Sequence, residues 1–339
     1  MKSCLYSSVK DKALFSRVGF YRNDLEALKL CSDKALITNS IFELVRFRPD
    51  LIVAYFFTKS IGAAVCGRLM GARIIIGGGG DQFSPVLVSG FRLFVHRVLA
   101  FICLLLAHRI SLSCTDDLVN IKKLCFGFKF LEKKLYFDNH VVIPSALARL
   151  AENDRSVQFS AFTMCWMGSE GNVRRKGVDR AVRLISMLRT LNVDASLDIA
   201  GTDGPGRVFL EKLINELGLT DHVHILGAIS EDEKNKRLSE GCVYIQLSEH
   251  EGFGVAAAEA FFSGMIVVHS NKGGLRDVIG ENGLIVDLAV IDNSDIVAVR
   301  DFYTQFLSYN CCAPPTSWPT CPLRWSRPRW SCTSCSIWR

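Results

Sequence analysis

The 339-residue sequence has no apolar run as long as a bilayer is thick, no G-x-G-x-x-G fingerprint, no Asp-x-Asp pair and no two histidines at the three-to-five-residue spacing of a zinc motif. Its most hydrophobic stretch, VLAFICLLLA at 98–107, is ten residues long between Arg97 and His108, about half of the ~20 that a spanning helix needs. A membrane-spanning helix is therefore not expected. Of thirteen cysteines, eight are scattered singly over 1–310 and five fall in 311–339, where the one pair at CxxC spacing, Cys332 and Cys335, has no histidine partner at ligand spacing, so a zinc site is not expected either. Unpaired thiols, with no basic-then-apolar segment after Met1, fit a reducing cytoplasm. Without the glycine fingerprint, a dinucleotide site is unsupported. Tryptophan is nearly missing before residue 318, Trp166 being the exception. Four of the five tryptophans and five of the nine prolines fall in 311–339. That segment keeps neither helical nor strand period and is expected to be disordered. Its change of character points to a change of reading frame near Tyr309; a cysteine-rich redox or metal tail is the alternative.

What is present describes a globular chain with generous cores: 49% hydrophobic and 22% charged residues over a length suited to two domains. The net charge of +6 is unevenly spread. Residues 1–150 hold 21 Lys and Arg against 11 Asp and Glu, whereas residues 151–300 hold 15 against 22. A basic first half implies an anionic partner such as a phospholipid surface or a phosphorylated glycan; solvated lysines without a partner are the plainer alternative.

In 1–150 short apolar runs at 3–6, 35–38, 51–57, 73–76 and 109–113 alternate with helical stretches, and 141–143 reads as a last strand. Such alternation implies parallel βαβ units in a doubly wound sheet of α/β class. Ligands bind at the carboxyl ends of such strands, which directs attention to GGGGDQFSP after Ile76. The run 98–107 reads as a buried helix or as an interfacial one flanked by arginines and lysines. Residues 151–160 are polar and unpatterned, as a linker is, and the alternation restarts at 161.

The most informative stretch is 244–264, YIQLSEHEGFGVAAAEAFFSG: strand, glycine turn, Ala-rich helix, closing glycine. The two glycines of the turn permit close backbone approach to a ligand, and the helix start offers free N–H groups to an anion. Glu251 and Glu259, eight residues apart, stand up to ~12 Å apart at helical rise, too far to share a proton. They read as grips on two parts of one long ligand, or more plainly as a helix-terminal charge and an exposed glutamate.

EGFGVAAAE resembles the E-x7-E signature of family 4, group 1 type, retaining glycosyltransferases with the two-domain GT-B fold. The likeness is specific from about residue 162 to 287 and looser before it. It implies two Rossmann-like doubly wound parallel-sheet domains facing across a cleft: an acceptor domain at 1–150 and a nucleotide-sugar domain at 161–310. By resemblance, Glu251 holds donor-sugar hydroxyls, the amides of Gly252, Phe253 and Gly254 hold sugar and diphosphate, Glu259 holds ribose, and the backbone from Gly227 to Ile229 receives the base. In GSEGNVRRKGVD, Lys176 fits the family's diphosphate-neutralising lysine. Ser169 occupies the arginine slot, so Arg174 or Arg175 must substitute, and Arg175 is preferred. Basic residues at a helix start are unfavourable unless an anion sits there, which favours a functional reading of this segment.

On the acceptor side Gly80 stands where relatives carry histidine, leaving Gly79, Gly80 and Asp81 as candidates. Ser145-Ala146-Leu147-Ala148 replaces the family's Asn-Gly-Val-Asp at the hinge. The implied function is transfer from a nucleotide-sugar donor to a glycan or lipid-linked acceptor in bacterial-type surface polysaccharide or lipopolysaccharide synthesis. It is expected to proceed without metal or cofactor, in the cytoplasm or peripherally at the inner face of an anionic membrane, and with no nucleic acid as partner. A catalytically impaired GT-B partner subunit, or an epimerase or phosphorylase of the same fold, remains an alternative.

Overall fold

The alternation of apolar runs with helical stretches becomes, twice over, a six-stranded parallel sheet flanked by helices. The computed structural model describes residues 1–17, 19–78, 80, 84–85, 88–137 and 159–311, and the chain divides into two units whose described parts are 1–137 and 159–311. The strand expected at 141–143, the hinge residues 145–148 and the segment 312–339 lie outside the described residues, as does all but the end of the linker 151–160.

Unit 1 contains β1 (Lys2–Ser7), α1 (Leu14–Arg17), α2 (Gly19–Cys31), β2 (Lys34–Thr38), α3 (Ile41–Phe47), β3 (Leu51–Tyr55), α4 (Ile61–Leu69), β4 (Arg73–Gly77), α5 (Gly90–Leu106), β5 (Arg109–Leu112), α6 (Thr115–Leu124), α7 (Lys129–Glu132) and β6 (Leu135–Phe137). The sheet order is β2-β1-β3-β4-β5-β6, so the strand order reverses between β1 and β3. Central strands such as LIVAY read as continuous hydrophobic runs because helices cover both faces. Local signals set the helix ends: Ser40 caps α3 by accepting from the Glu43 amide, and Arg48 in the left-handed region stops it. The short edge strand β6 was not foreseen from the sequence; three residues carry no readable period.

Unit 2 contains β7 (Phe159–Met164), α8 (Glu170–Lys176), α9 (Val178–Thr190), β8 (Ala195–Ala200), α10 (Pro205–Glu216), β9 (Val223–Gly227), α11 (Glu231–Glu240), β10 (Val243–Gln246), α12 (Val255–Phe262), β11 (Ile266–His269), α13 (Gly274–Val278), β12 (Leu284–Ile285), α14 (Leu288–Asp292) and α15 (Ile296–Cys311). Its order, β9-β8-β7-β10-β11-β12, is the 3-2-1-4-5-6 arrangement of dinucleotide-binding sheets, with the reversal between β7 and β10. Helix α9 illustrates what holds it together. Val178, Val182, Ile185 and Leu188 recur at helical spacing and are all buried, each worth roughly 1.5–3 kcal/mol. Helix α15 packs on α9, and its Phe306 meets Phe159 of β7 edge to face at 4.9 Å.

Candidate functional site

In an open α/β sheet the crevice that receives ligands lies beyond the carboxyl ends of the two strands where the order reverses. In unit 2 those are β7 and β10, and the two segments singled out from the sequence, 168–179 and 247–254, follow those two strands. Three contacts join them. The Glu249 amide donates to the Arg175 carbonyl at 2.9 Å, the Ser248 hydroxyl donates to the Lys176 carbonyl at 3.3 Å, and Gly177 packs on the backbone of Leu247. Gly177 has φ 69°, and a Cβ there would land on the Leu247 carbonyl oxygen, so only glycine fits.

Glu251 is buried at the centre of this junction. Its Oε2 accepts from Lys176 Nζ at 2.5 Å and from Gln246 Nε2 at 2.6 Å, and Ser248 Oγ lies 3.5 Å away. Enclosing a carboxylate costs free energy that such hydrogen-bonding partners offset. Behind it, Gly273 (φ 54°) and Gly274 press against the backbone of 251–253, and the Gly274 amide donates to the Glu251 carbonyl at 2.7 Å. The loop NKGG thus holds the Glu251–Phe253 backbone from below. Gly252 and Phe253 are half-buried, and Gly254 (φ 86°) precedes α12 with no side chain bonded to its first-turn amides. Glu251 therefore lies in a turn rather than on the helix, so helical rise does not measure its separation from Glu259.

The basic segment differs from its sequence reading. Residues 170–176 form a helix of their own, capped by Ser169, and Arg174, Arg175 and Lys176 lie in its last turn. Basic groups there are favoured by the helix dipole, so their presence needs no anion to explain it. Arg174 bonds Glu170 at 2.8 Å, stacks over Phe209 at 4.4 Å, and borders a groove between α8, α9 and α10 that includes neither Lys176 nor Glu251. Arg175 Nη2 donates to Asn172 Oδ1 at 2.8 Å, and Asn172 in turn reaches the Trp166 carbonyl. Burial pushes the nearby Cys165 thiol up to about 11, so it is no nucleophile at neutral pH despite the adjacent Lys176 and Arg175.

Glu259, on α12, pairs with Lys234 of α11 at 3.3 Å, and Lys234 also meets Glu231 at 2.9 Å. Burial pushes the Glu259 carboxyl above the usual range against the pull of Lys234. Burial also works against the Lys234 ammonium, yet its pKa is raised, because two carboxylates serve one lysine. Gly227 ends the edge strand β9 with φ 72°, and Ile229 packs against the hydrophobic cluster that includes Ala257 and Ala260 of the helix that bears Glu259.

In unit 1, Gly79 and Asp81 lie outside the described residues. Gly80 is buried, and the space a side chain would take is filled by the carboxylate of Asp117 from the first turn of α6. The sequence reading missed Asp117, as it missed Gln246, Ser248, Lys234 and the NKGG loop. A polar residue within an otherwise apolar strand, Gln246, was the one available signal. Among the described residues, no cluster of three His, Cys, Asp or Glu is placed to hold a metal ion, and no helix is long and apolar enough to cross a membrane.

Two doubly wound units with six-stranded parallel sheets define a GT-B fold. Solved structures that share it include the Anabaena protein HepE in complex with UDP and glucose, with a TM-score of 0.61 and 17% identity over 92% of this chain and 94% of that one. Another is the lipopolysaccharide outer core galactosyltransferase WaaB in its apo form, at 0.57 and 14% over 93% and 96%. At these identities the likeness is one of fold. In sequence, residues 171–305 match the family model for glycosyl transferases group 1, a span that takes in Arg175, Lys176, Glu251 and Glu259. Similar curated proteins include one subunit of the human phosphatidylinositol N-acetylglucosaminyltransferase, 33% identical over 114 residues, 34% of this chain and 23% of that protein. The MMP alpha-(1->4)-mannosyltransferase of Mycolicibacterium hassiacum is 34% identical over 115 residues, 34% and 28% of the two chains. This chain thus spans about a quarter of the length of either relative.

Proposed function

We propose that this chain is a glycosyltransferase that takes a sugar from a nucleotide-sugar donor and passes it to a glycan or lipid-linked acceptor. The observation that carries the reading is Glu251. At the reversal of strand order in unit 2 a buried carboxylate, fixed by Lys176 and Gln246, immediately precedes a glycine turn and a helix start with no capping side chain. In this reading the Glu251 carboxylate orients the hexose hydroxyls. The Gly252–Gly254 backbone and the α12 amides receive the diphosphate, Lys176 and Arg175 offset the charge that develops on it as it leaves, and Glu259 holds the ribose. Retention of configuration, independence of metal and a role in surface polysaccharide or lipopolysaccharide synthesis belong to the same proposal. They rest on the E-x7-E pattern and on the missing Asp-x-Asp. Relatives whose names include phosphatidylinositol, in humans and in Mycobacterium tuberculosis, support a lipid-linked acceptor.

A panel of UDP-, GDP- and ADP-sugars tests it, read by thermal shift and by nucleoside diphosphate release with labelled sugar. One donor class should stabilise the protein, and the effect should vanish in Glu251→Ala and Lys176→Ala. No response to any donor would overturn the reading, and a changed sugar on an intact nucleotide would mark an epimerase instead. A second reading, an impaired GT-B partner subunit, is favoured by Gly80, whose side-chain space Asp117 fills. Donor binding without turnover, with any acceptor offered, would select it.

A further inference from the structure

Helix α5 has two apolar faces, and one of them is uncovered. At about 100° per residue, Ala100, Cys103 and Leu104 point to one side, where all three are buried and the Cys103 thiol donates to the Phe57 carbonyl at 3.1 Å. Phe91, Phe94, Val95, Val98 and Leu105 lie on the opposite side within an arc of roughly 100°, and all are exposed, Phe91 by 79%. The stripe runs about 21 Å along the helix. Arg92 and Arg97 stand about 60° outside its two edges, and α5 carries no acidic residue.

The face continues onto the next hairpin. Phe126 meets Phe101 of α5 edge to face at 5.8 Å, and Phe128 and Phe130 lie 5.8 Å from one another. These three rings are 71%, 53% and 59% exposed. Phe126 is held at φ 49°, a costly conformation for a bulky side chain. Exposed Lys122, Lys123, Lys129 and Lys133 flank them in sequence, with Glu132 the one exposed acid among them.

We propose that this face docks the chain on an anionic lipid bilayer, with α5 lying in the interface and the Phe126–Phe130 hairpin reaching into the headgroup layer. Over residues 88–137 there are eight lysines and arginines against three acids, a match for acidic headgroups. Lysine is depleted in protein–protein interfaces, whereas aromatic rings within a basic rim are what an interfacial helix presents to lipid. The inference draws on unit 1 alone and stands or falls apart from the donor reading of unit 2.

The test is co-sedimentation of the full chain with vesicles of phosphatidylcholine alone or mixed with phosphatidylglycerol. Anionic vesicles should bind at least about tenfold better, with release at high salt. Phe91→Ser/Phe94→Ser and Arg92→Gln/Arg97→Gln should each lower that partition about tenfold while circular dichroism stays unchanged, and Phe128→Ser/Phe130→Ser serves as a third variant away from the helix. Equal binding to both vesicles, no binding, or variants that bind like the parent would overturn the proposal. So would a concentration-dependent dimer that the Phe91→Ser/Phe94→Ser variant abolishes, since the face would then belong to a second copy of this chain.

Discussion

The ammonium of Lys176, the last residue of α8, donates to the carboxylate of Glu251 at 2.5 Å, joining the segment after β7 to the segment after β10. The two residues are 75 positions apart in sequence and meet because their strands are neighbours in the sheet. An acid and a base this close do more than stabilise. In the proposed reading the pair also places a positive charge where a departing diphosphate needs one and fixes the carboxylate that would hold the sugar.

Replacing Lys176 by Met should therefore act twice. Unit 2 should lose about 2 kcal/mol in urea unfolding, below the full cost of breaking a buried pair because the lysine side chain is 25% exposed. Nucleoside diphosphate release should fall by about 100-fold or more, with Lys176→Arg retaining part of it. A variant with unchanged stability and unchanged turnover would remove the pair from both roles.

Glu259→Gln separates stability from function. Because burial raises the Glu259 pKa, the folded chain binds that proton more tightly than the unfolded chain does, with its ordinary value of 4.5. The contribution of this carboxyl to stability is then fully present at acid pH and is lost as pH rises through the folded pKa. The amide removes that loss, so Tm should fall less between about pH 5 and pH 8 than in the parent, while donor affinity weakens. Lys234 keeps Glu231 as a partner in the variant. A Tm profile parallel to the parent's would contradict the assignment.

Gly177→Ala should cost at least about 2 kcal/mol, combining a left-handed backbone with a clash on the Leu247 carbonyl. Gly171, within α8, is the control. A Cβ there meets nothing within 4 Å, so Gly171→Ala should be neutral or stabilising by about 0.5–1 kcal/mol. Urea midpoints of the two variants compare them directly.

Gly80→His, which introduces the histidine expected there from the resemblance, should lower soluble yield and stability rather than gain activity, because the Asp117 carboxylate already occupies that space. Gly80→His/Asp117→Ala should recover much of the loss. If the single variant is as stable as the parent, the packing of Asp117 on Gly80 does not restrict the site.

Chelation with EDTA should leave sugar transfer unchanged. The sequence offers no Asp-x-Asp clamp, and Lys176 with Arg175 supplies positive charge on the protein itself. An absolute requirement for added Mn²⁺ would argue for a different way of holding the diphosphate.

The sequence alone determined the α/β class, most of the strands, and the strand-turn-helix unit that carries Glu251 and Glu259. Those are local properties: β10 and α12 are a short apolar run and an Ala-rich stretch separated by two glycines, and each pattern is written in consecutive residues. Tertiary structure decided the rest. Periodicity does not encode strand order, so nothing in the sequence says that β7 lies beside β10, that Lys176 and Gln246 share the Glu251 carboxylate, or that Gly273 supports it from a third loop. The basic triplet shows the same limit within one segment. Its composition suited a helix start, but the Ser169 cap and the left-handed Gly177 make a separate seven-residue helix whose last turn carries the charges. Two helix ends with opposite dipoles lie side by side at Gly177, and only the folded backbone decides which of them the lysine belongs to.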